Sequence, residues 1–124
     1  MTSLKQVLVV EDNEKNRKLF SLLIKSMGHD CLVATDGNVG IEVAKANRPD
    51  LILMDIQMPV LDGMSALSLL KKDPATKDIP VLAVTSYAME KDRKRLLEAG
   101  FADYLAKPID TQQFKEIIQE LLEQ

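Results

Sequence analysis

Glu11 and Asp12 follow the apolar run 7–10, Asp55 ends the run 51–54, Thr85 follows 81–84, and Lys107 follows the mainly apolar stretch 101–106. Three carboxylates, a hydroxyl and an ammonium thus stand directly after four short apolar segments. Brought together, three carboxylates repel one another at neutral pH, and a bound cation would offset that repulsion. An all-oxygen donor set suits a hard divalent ion such as Mg2+, which takes one or two carboxylates plus waters and phosphate. The chain has one histidine and one cysteine, so a zinc or copper centre lacks the ligand cluster it would need. A carboxylate beside Mg2+ can attack a phosphoryl group and form an acyl phosphate. Lys107 would then supply positive charge, and Thr85 a hydroxyl donor, to the incoming phosphoryl oxygens.

Those residues need elements that bring them together. A short unbroken apolar run suits a strand buried on both faces of a parallel sheet, and runs at 7–10, 31–34, 51–54, 81–84 and 101–106 predict five. A helical pattern follows each. Asn13 is placed to cap the first helix, whose buried face is Phe20, Leu23, Ile24 and Met27, and Gly28 to stop it. Thr35-Asp36-Gly37 reads as a turn before a weaker helix at about 38–46. Gly40 inside that helix costs on the order of 1 kcal/mol against alanine, which predicts close packing at that position. After Asp62-Gly63, Met64, Leu67 and Leu70 form the inner face of a third helix, followed by a polar, proline-bracketed loop at 73–80. The fourth helix, about 90–99, is heavily charged, with Leu96, Leu97 and Ala99 as its few anchors, and is expected to be loosely held. The last presents Phe114, Ile117, Ile118 and Leu121. Five rounds of strand then helix imply a parallel sheet with helices on both faces. The carboxyl ends of such strands lie at one edge, where ligands bind, so the five candidate residues are expected to converge there.

The bulk numbers set outer bounds. A chain of 124 residues suits one domain with one core. With 46% hydrophobic and 28% charged residues it reads as an ordinary soluble globular protein. A net charge of -3 gives no electrostatic support for nucleic-acid binding. No apolar stretch approaches the roughly 18 residues of a membrane span, and the start lacks a signal-peptide apolar region; a cytoplasmic protein is the expectation. Cys31, inside an apolar run, is expected to be a buried inert thiol. His29, just after Gly28, is expected to be a surface turn residue.

Several motifs carry a resemblance. They are Val10-Glu11-Asp12-Asn13, Asp50-Leu51-Ile52-Leu53-Met54-Asp55 with Met58-Pro59 and Asp62-Gly63, Val84-Thr85, and Tyr104-Leu105-Ala106-Lys107-Pro108. In their order and spacing the sequence resembles the receiver domain of bacterial response regulators over essentially its whole length. The resemblance implies a doubly wound α/β fold: a five-stranded parallel sheet of order 2-1-3-4-5, flavodoxin-like and CheY-like, a (βα)5 three-layer sandwich. Residue by residue, it implies that Asp55 accepts the phosphoryl group. Asp12, Asp55 and the backbone carbonyl of Gln57 would hold Mg2+, with Glu11 acting mainly through water. Thr85 would move toward the phosphoryl group, Lys107 would be its cationic partner, and Tyr104 would be the switch aromatic that turns inward with Thr85. Pro108 would follow a cis peptide bond that aims Lys107 into the site. Ser86 stands where the family more often has Ala or Gly, and Gln57 and Tyr87 occupy positions that tune phosphoryl lifetime.

The function implied is that of a phosphoacceptor signalling module of a two-component or phosphorelay system. The donor would be the phosphohistidine of a histidine kinase or histidine phosphotransferase. Output would pass to a protein partner through the face made by the fourth helix, the fifth strand and the fifth helix, with the loop 86–89 shifting as well. The opening 11–14 with Asn16, Leu19 and Phe20 resembles stand-alone DivK-like regulators and receivers of hybrid kinases. Residues 1–124 are expected to be one receiver domain without an output domain, a monomer or weak dimer, touching neither nucleic acid nor membrane. It would be a signalling protein that assists its own phosphorylation and dephosphorylation, not an enzyme acting on a separate substrate. Three rivals share parts of this pattern. A haloacid dehalogenase-type phosphatase needs an acid/base two residues after the nucleophile, where this chain has Gln57. A flavin carrier on the same fold would have Glu11 and Asp12 repelling its phosphate. An unphosphorylated scaffold would have no use for the complete acid set with Thr85 and Lys107.

Overall fold

The computed structural model describes residues 4–58, 61–86 and 90–123. Strands and helices alternate as β1 (Gln6–Val10), α1 (Glu14–Ser26), β2 (Asp30–Ala34), α2 (Gly37–Asn47), β3 (Leu51–Asp55), α3 (Gly63–Lys72), β4 (Val81–Thr85), α4 (Glu90–Ala99), β5 (Asp103–Ala106) and α5 (Thr111–Leu122). The strands form one sheet in the order β2-β1-β3-β4-β5, and every pairing is parallel. This is the doubly wound, flavodoxin-like arrangement that the resemblance implied.

Alternate residues of each strand feed two apolar layers, because successive side chains of a strand point to opposite faces. On one face Val7, Val9, Leu51, Leu53, Leu82, Val84 and Leu105 meet Phe20 and Ile24 of α1 and Phe114, Ile118, Leu121 and Leu122 of α5. On the other, Leu8, Val10, Ile52, Met54, Val81 and Ala83 meet Ile41 and Ala44 of α2, Ala66, Leu67 and Leu70 of α3, and Leu96 of α4. β3 and β4 are buried along their whole length, which explains their unbroken apolar sequences.

Helix starts are fixed by side-chain caps: the carboxylate or amide oxygens of Asn13, Asp36, Asp62 and Asp110 accept the backbone N–H three residues on. Gly28 leaves α1 at φ 87°, a left-handed turn suited to glycine. Gly40 packs as its cost predicts. A Cβ there would lie 2.8 Å from Cγ2 and 3.0 Å from Cγ1 of Val10, so α2 approaches β1 at the residue just before Glu11.

The structure departs from the sequence reading in five places. α2 begins at Gly37 with Asp36 as its cap, one residue ahead of the expected start. Phe101 is buried but precedes β5, and its N–H bonds to Leu96 O at 3.2 Å. It is an apolar plug after α4 and not a paired strand residue. Of the three anchors read for α4 only Leu96 is buried; Leu97 is 38% exposed and Ala99 lies at the surface. His29 is not a surface turn residue. It is 4% exposed, and its Nδ1 accepts the Lys5 N–H at 3.3 Å, because the chain folds the start of β2 beside the approach to β1. Cys31, expected to be buried, is only half-buried because β2 is an edge strand; what burial it has raises its thiol pKa. Among the described residues no helix is long and apolar enough to cross a membrane.

Candidate functional site

The carboxyl ends of β1, β3, β4 and β5 come together because parallel registry aligns them. Asp55 pairs with Val84, and Thr85 with Ala106. Glu11 continues β1 by one residue, donating its N–H to Ala34 O at 3.0 Å. Lys107 continues β5, donating its N–H to Thr85 O at 2.8 Å. Four of the five residues are thereby carried on rigid strand ends. Asp12 alone projects from the loop and is exposed, whereas Glu11, Asp55 and Thr85 are buried.

Lys107 joins the group from across the sheet. Its Nζ lies 3.2 Å from Asp55 Oδ2 and 3.4 Å from Glu11 Oε1. The Lys107–Pro108 peptide is cis. Asp55 Oδ1 accepts the Gln57 N–H at 3.0 Å, so each oxygen of Asp55 has a donor. The exposed Gln57 side chain reaches the neighbouring loop, where its Oε1 accepts the Ser86 N–H at 3.1 Å. Tyr104 is half-buried against the α2–α3–α4 layer, with the Arg93 guanidinium 6.0 Å from its ring centre. Pro59 and the segment 87–89, which includes Tyr87, lie outside the described residues.

Glu11 is the electrostatically extreme member. Its carboxyl pKa is raised from 4.5 to about 7, first by burial and then by the adjoining Asp55 carboxyl; the Asn16 amide and Lys107 pull the other way. One ammonium is too little counter-charge for three carboxylates. Oxygens of Glu11, Asp12 and Asp55 lie within 4.8 Å of one another, and the buried Glu11 Oε2 has no hydrogen-bond partner. An unsatisfied buried oxygen in an all-carboxylate cluster is what a hard divalent cation, or a water on such a cation, would satisfy. These residues therefore fit Mg2+.

Two residues of the site were not singled out for chemistry by the sequence reading. Asn16 Nδ2 donates to Glu11 Oε1 at 2.9 Å, and Arg17 Nη1 donates to Glu11 O at 3.0 Å and Asp12 O at 3.3 Å. A signal for Arg17 was present: a cation in the first turn of a helix opposes the helix dipole and needs a local reason to be there.

The model of the response regulator receiver domain matches residues 7–119. The polar-differentiation response regulator DivK of Brucella anthropi is 42% identical over 118 residues, covering 95% of this chain and 96% of DivK. The magnesium-bound receiver domain of the sensor histidine kinase PA1611 from Pseudomonas aeruginosa superimposes with a TM-score of 0.89 at 34% identity. That match covers 98% of this chain and all of the other. The receiver domain of the Francisella response regulator 1452 has a TM-score of 0.89 at 28% identity, covering 96% of this chain and 97% of that one. A family model spanning nearly every element from β1 into α5, together with relatives aligned end to end, establishes that the chain belongs to the response regulator receiver domains of two-component signalling.

Proposed function

We propose that Asp55 is the phosphoacceptor of this receiver domain and that Glu11, Asp12, Thr85 and Lys107 serve the transfer. The observation that carries this reading is the position of Asp55: at the carboxyl end of β3, 3% exposed, 3.2 Å from the Lys107 ammonium and grouped with two further carboxylates. An Asp55 oxygen forms the new P–O bond as the P–N bond of a phosphohistidine breaks, and the donor imidazole leaves to be protonated from solvent. Lys107 holds Asp55 Oδ2 and is placed to neutralise phosphoryl charge, and the Thr85 hydroxyl is a donor for the same oxygens. Asp12, Asp55 and the Gln57 carbonyl would hold Mg2+, with Glu11 acting through water. When bound, the ion would neutralise charge on the phosphoryl oxygens. The receiver of PA1611, with magnesium in its cleft, supports that choice of ion.

The donor in this reading is a histidine kinase or histidine phosphotransferase, and the protein is cytoplasmic. It assists its own phosphorylation and dephosphorylation. Output passes through the face of α4, β5 and α5. α4 is held to the core by Leu96, and Tyr104 lies beneath Arg93 of that helix, so a movement of Thr85 and Tyr104 has a weakly anchored element to act on. Membership of the receiver family leaves the phosphatase and flavin-carrier readings without support.

The test is intact mass after incubation with a small acyl phosphate and Mg2+, beside an Asp55→Asn variant. A gain of one phosphoryl group that requires Mg2+ and vanishes in the variant is expected. A gain that survives Asp55→Asn would make another residue the acceptor.

A further inference from the structure

The site of proposed Mg2+ binding has a support whose role the transfer chemistry leaves unexplained. α1 begins at Glu14, and its first turn sends two side chains back over the loop that precedes it. Asn16 Nδ2 donates to Glu11 Oε1 at 2.9 Å, which leaves Oε2 as the buried oxygen without a partner. Arg17 Nη1 spans two successive carbonyls, those of Glu11 and Asp12. Both residues are half-buried. The backbone N–H of Asn16 is itself fixed by the Asn13 cap, at 3.0 Å from Oδ1, so the donors stand on a held turn.

We propose that Asn16 and Arg17 are the positioning residues of the cation site: Arg17 clamps the Glu11–Asp12 backbone, and Asn16 engages Glu11 Oε1 so that Oε2 faces the ion or its water. This rests on the Mg2+ reading given above. Arg17 makes the inference sharp because its charge and its hydrogen bonds act in opposite directions. As a point charge near the ligands it repels a divalent cation, so a through-space role alone predicts tighter metal binding when it is removed. As a clamp it orders two adjacent acidic residues, so removal predicts weaker binding. Supporting residues around metal ligands commonly change affinity by about 10–100-fold.

The experiment titrates the full chain with Mn2+, read by the loss of the free-ion signal in electron paramagnetic resonance, with Mg2+ as competitor. Expected for Arg17→Met is a rise in the Mn2+ dissociation constant of roughly 10-fold, with partial recovery in Arg17→Lys, which keeps a shorter donor. Expected for Asn16→Leu, similar in volume but without the amide, is a comparable rise. A purely structural role would not be rescued by lysine. Binding by Arg17→Met as tight as wild type or tighter overturns the positioning role. Should that variant fail to fold, Asn16→Leu carries the test, and a Mn2+ dissociation constant no higher than that of wild type then overturns the positioning role. Wild-type protein that leaves Mn2+ free would overturn the cation site itself, so the two failures are distinguishable.

Discussion

Glu11 makes the stability of the metal-free protein depend on pH in a direction opposite to that of most acidic groups. Its carboxyl has a pKa of 4.5 when unperturbed and about 7 in the folded chain. Between those values the native state keeps a proton that the unfolded chain has released. Unfolding stability must therefore fall as pH rises through this window, and level off above about 7. The shift corresponds to about 3 kcal/mol at 1.36 kcal/mol per unit, a large share of the 5–15 kcal/mol typical of a domain. Glu11→Gln removes the ionisation while keeping an oxygen to accept from Asn16, and its amide would give the Asp55 carboxyl a donor. The assay is urea denaturation of both proteins in chelator from pH 5 to pH 8.5. The variant is expected to be nearly level with wild type at pH 5 and about 2.5 kcal/mol more stable, relative to that starting point, at pH 8, the rest of the shift taking effect below pH 5. Saturating Mg2+ should abolish the wild-type decline, because the cation takes the place of the proton. Parallel stability curves for the two proteins across the window would refute the reasoning, since a proton held by Glu11 could not then be the cause.

Three further outcomes follow from packing and hydrogen bonding. Gly40→Ala forces a Cβ to 2.8 Å from Val10 Cγ2 and should destabilise by about 1–3 kcal/mol. Combined with Val10→Ala it should cost clearly less than the sum, and an additive double-mutant cycle in urea would contradict the contact. Phe114 is fully buried and stacks on Phe20 at 5.7 Å. Phe114→Ala should lose about 3–5 kcal/mol in the same assay, and a loss below 1 kcal/mol would argue against this α1–α5 packing. Thr76 is buried and its hydroxyl donates to Leu70 O at 2.7 Å, near the end of α3. Leu70 O also accepts the Asp73 N–H at 3.4 Å, so Thr76→Val removes one of its two donors and should destabilise by about 0.5–1.5 kcal/mol, with faster hydrogen exchange at the end of α3.

Much of this architecture was legible in the sequence for a simple reason. A strand covered on both faces must be apolar at every position, so 51–54 and 81–84 announce themselves without any alignment, and the residue after each such run is forced to the ligand-binding edge of a parallel sheet. Local caps are readable on the same terms, since Asn13 and Asp62 act on the N–H three residues away. The strand order came from the resemblance, as periodicity does not specify which strand lies beside which. Other features depended on what the fold brings near from far along the chain. His29 looked like a turn residue because nothing local shows that Lys5 will pack against it. Thr76 sat in a polar loop until that loop folded under α3. Asp55, Glu11 and Lys107 are 44 and 52 residues apart along the chain, yet one ammonium reaches both acids at 3.2–3.4 Å. The residue types at the site were set by the sequence. The raised Glu11 pKa, the unpartnered Oε2 and the Arg17 clamp are products of burial and distance, which only the tertiary structure supplies.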